Sequence, residues 1–129
     1  MLRSLLCGSA LLAAAMSPAL AQNSFQNTCS EFHFAYSGAN PTLQAVCLKS
    51  DGAPNATSLT LQGIQNDNGI LKQGTGPSAF QKSCGSIQIL VDGPDVTLAA
   101  LCKTVSGQHN STSLPLNNIN NDNGKLVQQ

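Results

Sequence analysis

The sequence contains one unit twice, and this repetition is the strongest limit on what the chain can fold into. Residues 80–129 align with residues 25–74 without a gap, at an offset of 55 positions, and 21 of the 50 pairs are identical. The run Asn66–Gly69 recurs unchanged as Asn121–Gly124. Turn-forming residues at 74–78 join the two copies. We therefore predict one domain over residues 22–129, with repeat 1 at about 23–74 and repeat 2 at about 78–129.

The first 21 residues have the pattern of a secretory signal peptide. Arg3 supplies a positive charge, Leu5–Met16 is apolar, and Ala19-Leu20-Ala21 is a small-x-small cleavage sequence. We expect residues 1–21 to be removed, which predicts a secreted, extracellular protein without membrane insertion. The alternative is a membrane anchor, but the apolar run is short for a hydrocarbon core about 30 Å thick.

Removal of the signal peptide would leave four of the five cysteines, spaced 18 positions apart in each copy. An even number of cysteines in a secreted chain predicts disulfide bonds. The repeat favours Cys29–Cys47 and Cys84–Cys102, because a duplicated unit most simply carries its own bridge. Pairing across the repeats is the alternative that the sequence leaves open.

The residue pattern predicts an all-β protein with about five strands per repeat and no long helix. Apolar residues recur at every second position over 32–36, 42–47 and 87–91, which is the period of a β-strand. Gly- and Asn-containing segments at 38–41, 93–95 and 68–69 predict hairpin turns. Short helical turns are expected at Leu61–Gln65 and Leu116–Asn120.

Charge and motif content exclude several classes of function. Only 9% of residues are charged, against roughly 25% in an average chain. The six basic residues are isolated, which argues against a nucleic-acid partner. No nucleophile motif surrounds His33 or His109, neither histidine is duplicated, and no Cys or His spacing suits zinc. We therefore expect no enzyme activity, no metal and no cofactor.

The duplicated Asn-Asp-Asn-Gly run has three readings. It lacks the Asp and Glu positions of an EF-hand, which leaves weaker calcium binding as the only metal alternative. It suits a ligand site rich in neutral donors and acceptors, and it equally suits a tight turn. Equivalent Asn-x-Thr sequons at Asn55 and Asn110 predict exposed loops that are candidates for N-glycosylation.

The order of these motifs resembles the cyanovirin-N homology family of lectins. The resemblance rests on Phe25–Cys29, Asn55–Leu61, Asn66–Leu71, Cys102–Thr104 and Asn121–Leu126, and it covers essentially all of residues 23–129. It implies two pseudo-symmetric halves, each with a three-stranded sheet and a β-hairpin. It also implies that the halves exchange segments, so that the C-terminal hairpin completes the half begun by the first repeat.

The resemblance further implies binding of mannose-rich glycans, including high-mannose ones, at a site near each end. Carried across by motif, one site would use Ser24, Asn27, Thr28, Lys49, Ser50, Asn121, Asp122 and Asn123. The other site would use Asn66, Asp67, Asn68, Ser78, Lys82, Ser83, Lys103 and Thr104.

Two alternatives follow from this reading. The chain could keep the fold as a non-catalytic structural or interaction module without a sugar site. The turn-rich joint at 74–78 also allows a hinge, and the expected state is therefore a monomer or a domain-swapped dimer.

Overall fold

The computed structural model describes residues 25–129, so the predicted signal peptide at 1–21 and Ser24 lie outside the described residues. Ten strands confirm the predicted all-β class and the five strands per repeat. The strands are β1 (Cys29–Ser37), β2 (Asn40–Leu48), β3 (Pro54–Thr60), β4 (Gln62–Asp67), β5 (Ile70–Pro77), β6 (Cys84–Asp92), β7 (Asp95–Lys103), β8 (His109–Pro115), β9 (Ile119–Asp122) and β10 (Lys125–Gln128).

The helical content lies elsewhere than predicted. A four-residue helix, α1 (Phe25–Thr28), precedes β1, and a 3-10 turn (Phe80–Lys82) precedes β6 at the equivalent place. The helical turns expected at 61–65 and 116–120 are wrong, because most of the first segment belongs to β4 and β9 begins at Ile119. In the first of these segments Leu61 and Ile64 are fully buried in the core.

The joint at 74–78 is not the turn that its composition suggested. Residues 74–77 complete strand β5, in which Pro77 pairs with Gln62 across a register shift. Gly63 has φ +79°, and a Cβ atom there would lie 2.2 Å from the carbonyl oxygen of Gly74. Gly63 therefore allows the close approach of the two backbones in this hairpin, whereas Gly76 has φ +79° and an added Cβ atom there would meet nothing within 4 Å.

Each repeat forms an antiparallel three-stranded sheet, β1-β2-β3 or β6-β7-β8, and a separate two-stranded hairpin, β4-β5 or β9-β10. In both sheets the cysteines face each other across the first two strands, and the bonds Cys29–Cys47 and Cys84–Cys102 are formed. The predicted pairing within each repeat is confirmed, and pairing across the repeats is excluded.

The two hairpins are exchanged between the repeats, as the resemblance implied. Leu126 N, in β10, donates a hydrogen bond to Thr57 Oγ1 in β3, at 3.2 Å. Leu71 N, in β5, donates to Thr112 Oγ1 in β8, at 3.1 Å. We call α1, β1–β3 and β9–β10 half A, and we call β4–β5, the 3-10 turn and β6–β8 half B.

The two sequons lie in strands β3 and β8, so the expectation that they mark loops is wrong. Asn55 Nδ2 donates to the carbonyl oxygen of Gly124 at 2.8 Å, and Asn110 Nδ2 donates to that of Gly69 at the same distance. Each Asn-x-Thr sequence thus holds an exchanged hairpin at two points. We call Asn55 with Thr57 clamp A, and Asn110 with Thr112 clamp B.

One hydrophobic core runs through both halves. Its fully buried side chains occur in equivalent pairs, namely Phe25 with Phe80, Leu43 with Leu98, and Ile64 with Ile119. Burial of each such side chain stabilises the fold by about 1.5–3 kcal/mol. The Phe34 ring of half A contacts Phe80 of half B edge-on, with centroids 6.3 Å apart.

Within residues 25–129, no helix is long and apolar enough to cross a bilayer.

Candidate functional site

The repeated Asn-Asp-Asn-Gly run forms the tip of each exchanged hairpin. Its last two residues have positive φ, +52° and +88° at Asn68 and Gly69, and +50° and +90° at Asn123 and Gly124. Two successive residues with positive φ are typical of a type I′ turn. Both glycines are buried, and a Cβ atom on Gly124 would lie 2.9 Å from Lys49 Cγ and 3.1 Å from Asn55 Cβ. The tip is therefore a tight turn that packs against its neighbouring sheet.

The side-chain amide of the first asparagine in each run forms three hydrogen bonds within the protein, and these hold the turn. Asn121 Oδ1 accepts from Gly124 N at 2.8 Å, and Asn121 Nδ2 donates to Thr28 Oγ1 at 2.9 Å and to the Leu48 carbonyl at 3.0 Å. Both N–H groups of the amide are occupied. Its role in half A is to fix the hairpin tip against α1 and the end of β2.

The remaining half A candidates surround an open depression of about 620 Å³ at this tip. Asn123 Oδ1 accepts from both Ser50 N and Ser50 Oγ, at 2.8 and 2.7 Å. Thr28, Lys49 and Asn121 also line the depression. Asn27 is exposed on the adjoining helix. The structure thus brings Thr28, Lys49, Ser50, Asn121 and Asn123 together around one depression, while Asn27 and Asp122 are sequence neighbours of its lining residues.

Asp122 is the half A candidate with the most freedom to contact a ligand. It is exposed, and within the described chain its carboxylate makes no hydrogen bond or ion pair. The carboxylate offers two acceptor oxygens on a backbone that the neighbouring asparagines immobilise. Asn120 also lines the depression but was missed, because its counterpart in the first repeat is Gln65 and the identical run begins one residue later.

Half B repeats these contacts with different partners. Asn66 Oδ1 accepts from Gly69 N at 2.7 Å, and Asn66 Nδ2 donates to Ser83 Oγ at 2.8 Å and to the Lys103 carbonyl at 2.9 Å. Asn68 Oδ1 accepts from Val105 N at 2.9 Å. Val105 replaces Ser50 of half A, and the tip therefore loses the hydroxyl hydrogen bond.

Two half B candidates are already engaged. Asp67 forms an ion pair with Lys72, with 3.0 Å between Oδ2 and Nζ, and both side chains are 61% exposed. Thr104 Oγ1 lies 2.9 Å from Ser106 Oγ and accepts from Gln108 N at 3.2 Å. The Asp67 carboxylate can leave its partner at little cost, because such exposed pairs contribute only about 0–1 kcal/mol.

Ser78 is the predicted residue that the structure separates from its site. Its hydroxyl donates to the Leu61 carbonyl at 2.7 Å and accepts from Ile64 N at 2.9 Å. These contacts place Ser78 at the base of the β4-β5 hairpin, opposite the end that carries the tip. The other half B candidates, Lys82, Ser83 and Lys103, border a second depression of about 700 Å³ beside the tip.

In the described part of the chain, neither histidine is hydrogen-bonded to an acidic or hydroxyl-bearing side chain. His33 Nε2 lies 2.6 Å from Gln44 Oε1 on the neighbouring strand, and His109 begins β8. Among residues 25–129, no three His, Cys, Asp or Glu side chains come together as metal ligands. The polar chemistry of the surface is that of amides, hydroxyls and single charges.

Comparison with known proteins gives one family. The family model of the CVNH domain matches residues 80–128. The structure of a T. borchii CVNH protein is similar, with 31% identity, a TM-score of 0.65, and coverage of 82% of this chain and 99% of that one. No curated protein matches the sequence.

Two further solved structures agree with this match. Microvirin, in a complex with mannobiose, has 29% identity and a TM-score of 0.63, over 82% of this chain and 98% of its own. A designed cyanovirin-N homologue lectin has 25% identity and a TM-score of 0.66, over 82% and 99%.

Proposed function

Because this chain belongs to the CVNH family, we propose that it is a lectin that binds carbohydrate without catalysis. We further propose that it is secreted and that it recognises mannose-type oligosaccharides. The family match supports sugar binding in general, and the mannobiose complex of microvirin, at 29% identity, supports the mannose type. The predicted signal peptide supports secretion.

The observation that carries this proposal is the pair of rigid polar tips. In each tip two asparagines bind the protein itself, and the aspartate between them faces solvent. A fixed carboxylate can accept hydrogen bonds from two adjacent sugar hydroxyls. Because the loop is already ordered, little conformational entropy is lost on binding.

These contacts assign the asparagines and the aspartates different roles from those that the sequence predicted. The asparagines were expected to contact the sugar directly, but Asn66 and Asn121 have no free N–H group. We propose that Asp67 and Asp122 accept from sugar hydroxyls, while the asparagines hold them in place. In half A, the Lys49 ammonium and the Asn27 amide, both exposed, complete the set of contacts.

Each site is expected to be modest in affinity by itself. A hydrogen bond to a neutral group contributes only about 1 kcal/mol net, because both partners lose water. Two sites on one rigid body gain by avidity on a branched glycan. This argument applies to a monomer, and a domain-swapped dimer would carry more sites per particle.

The decisive experiment is a titration of the oxidised protein, residues 22–129, with mannobiose, followed by amide NMR shifts. We expect shifts at both tips in the unsubstituted protein. Asp122→Ala should remove those at 121–124 and leave those at 66–69, and Asp67→Ala should do the reverse. Asp92→Ala, an exposed aspartate at the β6-β7 end, serves as the control.

A protein with the fold but without a sugar site would behave differently. The occupied asparagine amides are the observation that favours this second candidate. No shift with mannobiose or with an array of other glycans would support it and contradict the lectin proposal. Binding that is unchanged in the double variant Asp67→Ala/Asp122→Ala would show that the tips are not the sites.

A further inference from the structure

The depression of half B carries a charge pattern that half A lacks. It is lined by Lys82, Ser83, Ser86, Leu101, Lys103 and His109, and its volume is about 700 Å³. We call this set of residues the basic groove. The three basic side chains come from three places in the chain, namely the 3-10 turn, β7 and β8.

The strand register explains how these side chains come together. Lys103 is the direct cross-strand partner of His109, and Leu101 lies two residues before Lys103 on the same face of β7. Directly opposed side chains in an antiparallel pair have Cβ atoms about 4.5–5.5 Å apart. Lys82, Lys103 and His109 are all exposed, and the described structure shows no side-chain hydrogen bond or ion pair for any of them.

The equivalent positions of half A contain no basic residue. Asn27 and Thr28 replace Lys82 and Ser83, while Leu48 and Pro54 replace Lys103 and His109. At the bulge of the first strand, Glu31 stands where half B has Ser86, and both residues have positive φ, +55° and +50°. At the same backbone geometry, half A therefore carries one acidic side chain where half B carries three basic ones.

The basic groove borders the hairpin tip of half B at two residues, Ser83 and Lys103. Asn66 Nδ2 donates to Ser83 Oγ and to the Lys103 carbonyl, and these two residues also line the groove. The carboxylate on this hairpin, Asp67, is paired with Lys72 and does not neutralise the groove lysines. A sugar held at the tip would therefore have two free ammonium groups beside it.

We propose that half B binds oligosaccharides that carry an anionic substituent, a phosphate or sulfate ester, and that the substituent occupies the basic groove. This inference rests on the proposed function, because the sugar itself is held by the tip. Lys82 and Lys103 donate charge-assisted hydrogen bonds to the ester oxygens, and the hydroxyls of Ser83 and Ser86 and a ring N–H of His109 offer further donors. Half A binds only the neutral sugar.

The test compares mannose, mannose 6-phosphate and mannose 6-sulfate by amide NMR titration of the oxidised protein, with inorganic phosphate as a separate arm. We expect both esters to bind half B at least about tenfold more tightly than mannose, because two charge-assisted hydrogen bonds are added. Half A should show no such gain. Inorganic phosphate should shift groove amides only weakly, because it lacks the contacts of the sugar with the tip.

The matched variants are Lys82→Gln/Lys103→Gln and, as control, Lys125→Gln on half A. The double variant should bind mannose and its esters equally at half B, and the control should keep the preference for the esters. Equal affinity for mannose and its esters, or a preference that survives the double substitution, would overturn this inference. Mannobiose binding without any gain from the esters contradicts this inference alone, whereas no shift with any sugar contradicts the proposed function as well.

Discussion

The two hairpin tips have the same four residues and nearly the same backbone, yet they differ in what surrounds them. In half A the tip faces Thr28, Lys49 and Ser50, and among the described residues its aspartate has no ion-pair partner. In half B the tip faces Ser83, Lys103 and Val105, and Asp67 pairs with Lys72. The repeated run therefore preserves the turn, and the neighbouring residues of the other repeat determine the chemistry beside it.

The largest effect is expected from the core residue that anchors each hairpin. Ile119→Ala and Ile64→Ala should each lower the free energy of unfolding by about 2–5 kcal/mol, because both side chains are fully buried and the substitution leaves a cavity. Urea denaturation measures both values. Equal losses would mean that the two hairpins contribute alike, and a clear inequality would show that one half is the less stable unit.

The disulfide bonds give the next comparison. Each closes a loop with a sequence separation of 18. Replacing either pair of cysteines by serine should therefore cost about 3 kcal/mol through the added freedom of the unfolded chain. Thermal unfolding of Cys29→Ser/Cys47→Ser and Cys84→Ser/Cys102→Ser should show similar losses. If only one replacement lowered the stability, the two halves would depend on their disulfide bonds to different extents.

The clamps should differ, because Asn55 is half-buried and Asn110 is exposed. Asn55→Ala leaves the buried Gly124 without the donor to its carbonyl and should cost about 1–3 kcal/mol, and Asn110→Ala should cost less. Chemical denaturation of unglycosylated protein measures the two losses. Thr57→Ser, which keeps the hydroxyl that accepts from Leu126 N, is the control. A larger loss for Asn110→Ala would contradict this account of the clamps.

The smallest effect on stability is expected from Lys72→Ala. The ion pair with Asp67 is exposed, so its loss should change the free energy of unfolding by less than about 1 kcal/mol. The substitution frees the Asp67 carboxylate, and mannobiose should then bind half B somewhat more tightly. Amide NMR titration checks both sites at once, since half A should not respond. Weaker binding at half B would mean that Lys72 itself contacts the sugar.

Much of the fold follows from local patterns. Alternation over 32–36 and 42–47 identified strands, and the positive-φ turn at Asn68-Gly69 follows from residue type. The repeat predicted both the disulfide pairing and the five strands of each copy. The turn expected at the 74–78 joint is wrong, because residues 74–77 continue strand β5 and Gly63 of β4 allows the two backbones to approach closely.

Most residues of the candidate site could be predicted from the sequence, but the position and role of each side chain could not. The identical run pointed to the tips, yet Ser78 lies at the opposite end of its hairpin. His109 was not expected in the basic groove, because only the register of β7 with β8 places it opposite Lys103. Such neighbours are distant along the chain and leave no local pattern.

The sequence alone determined the two repeats, most of their strands and the turns at their tips, and it favoured one bridge within each repeat, because each depends on residues close together or on the repeat itself. The tertiary structure decided what the Asn-x-Thr sequences do. Asn55 binds Gly124 across 69 positions, and Asn110 binds Gly69 across 41. A sequon and a hairpin clamp need the same residue types, and the choice between them depends on which backbone carbonyl the fold brings within 2.8 Å.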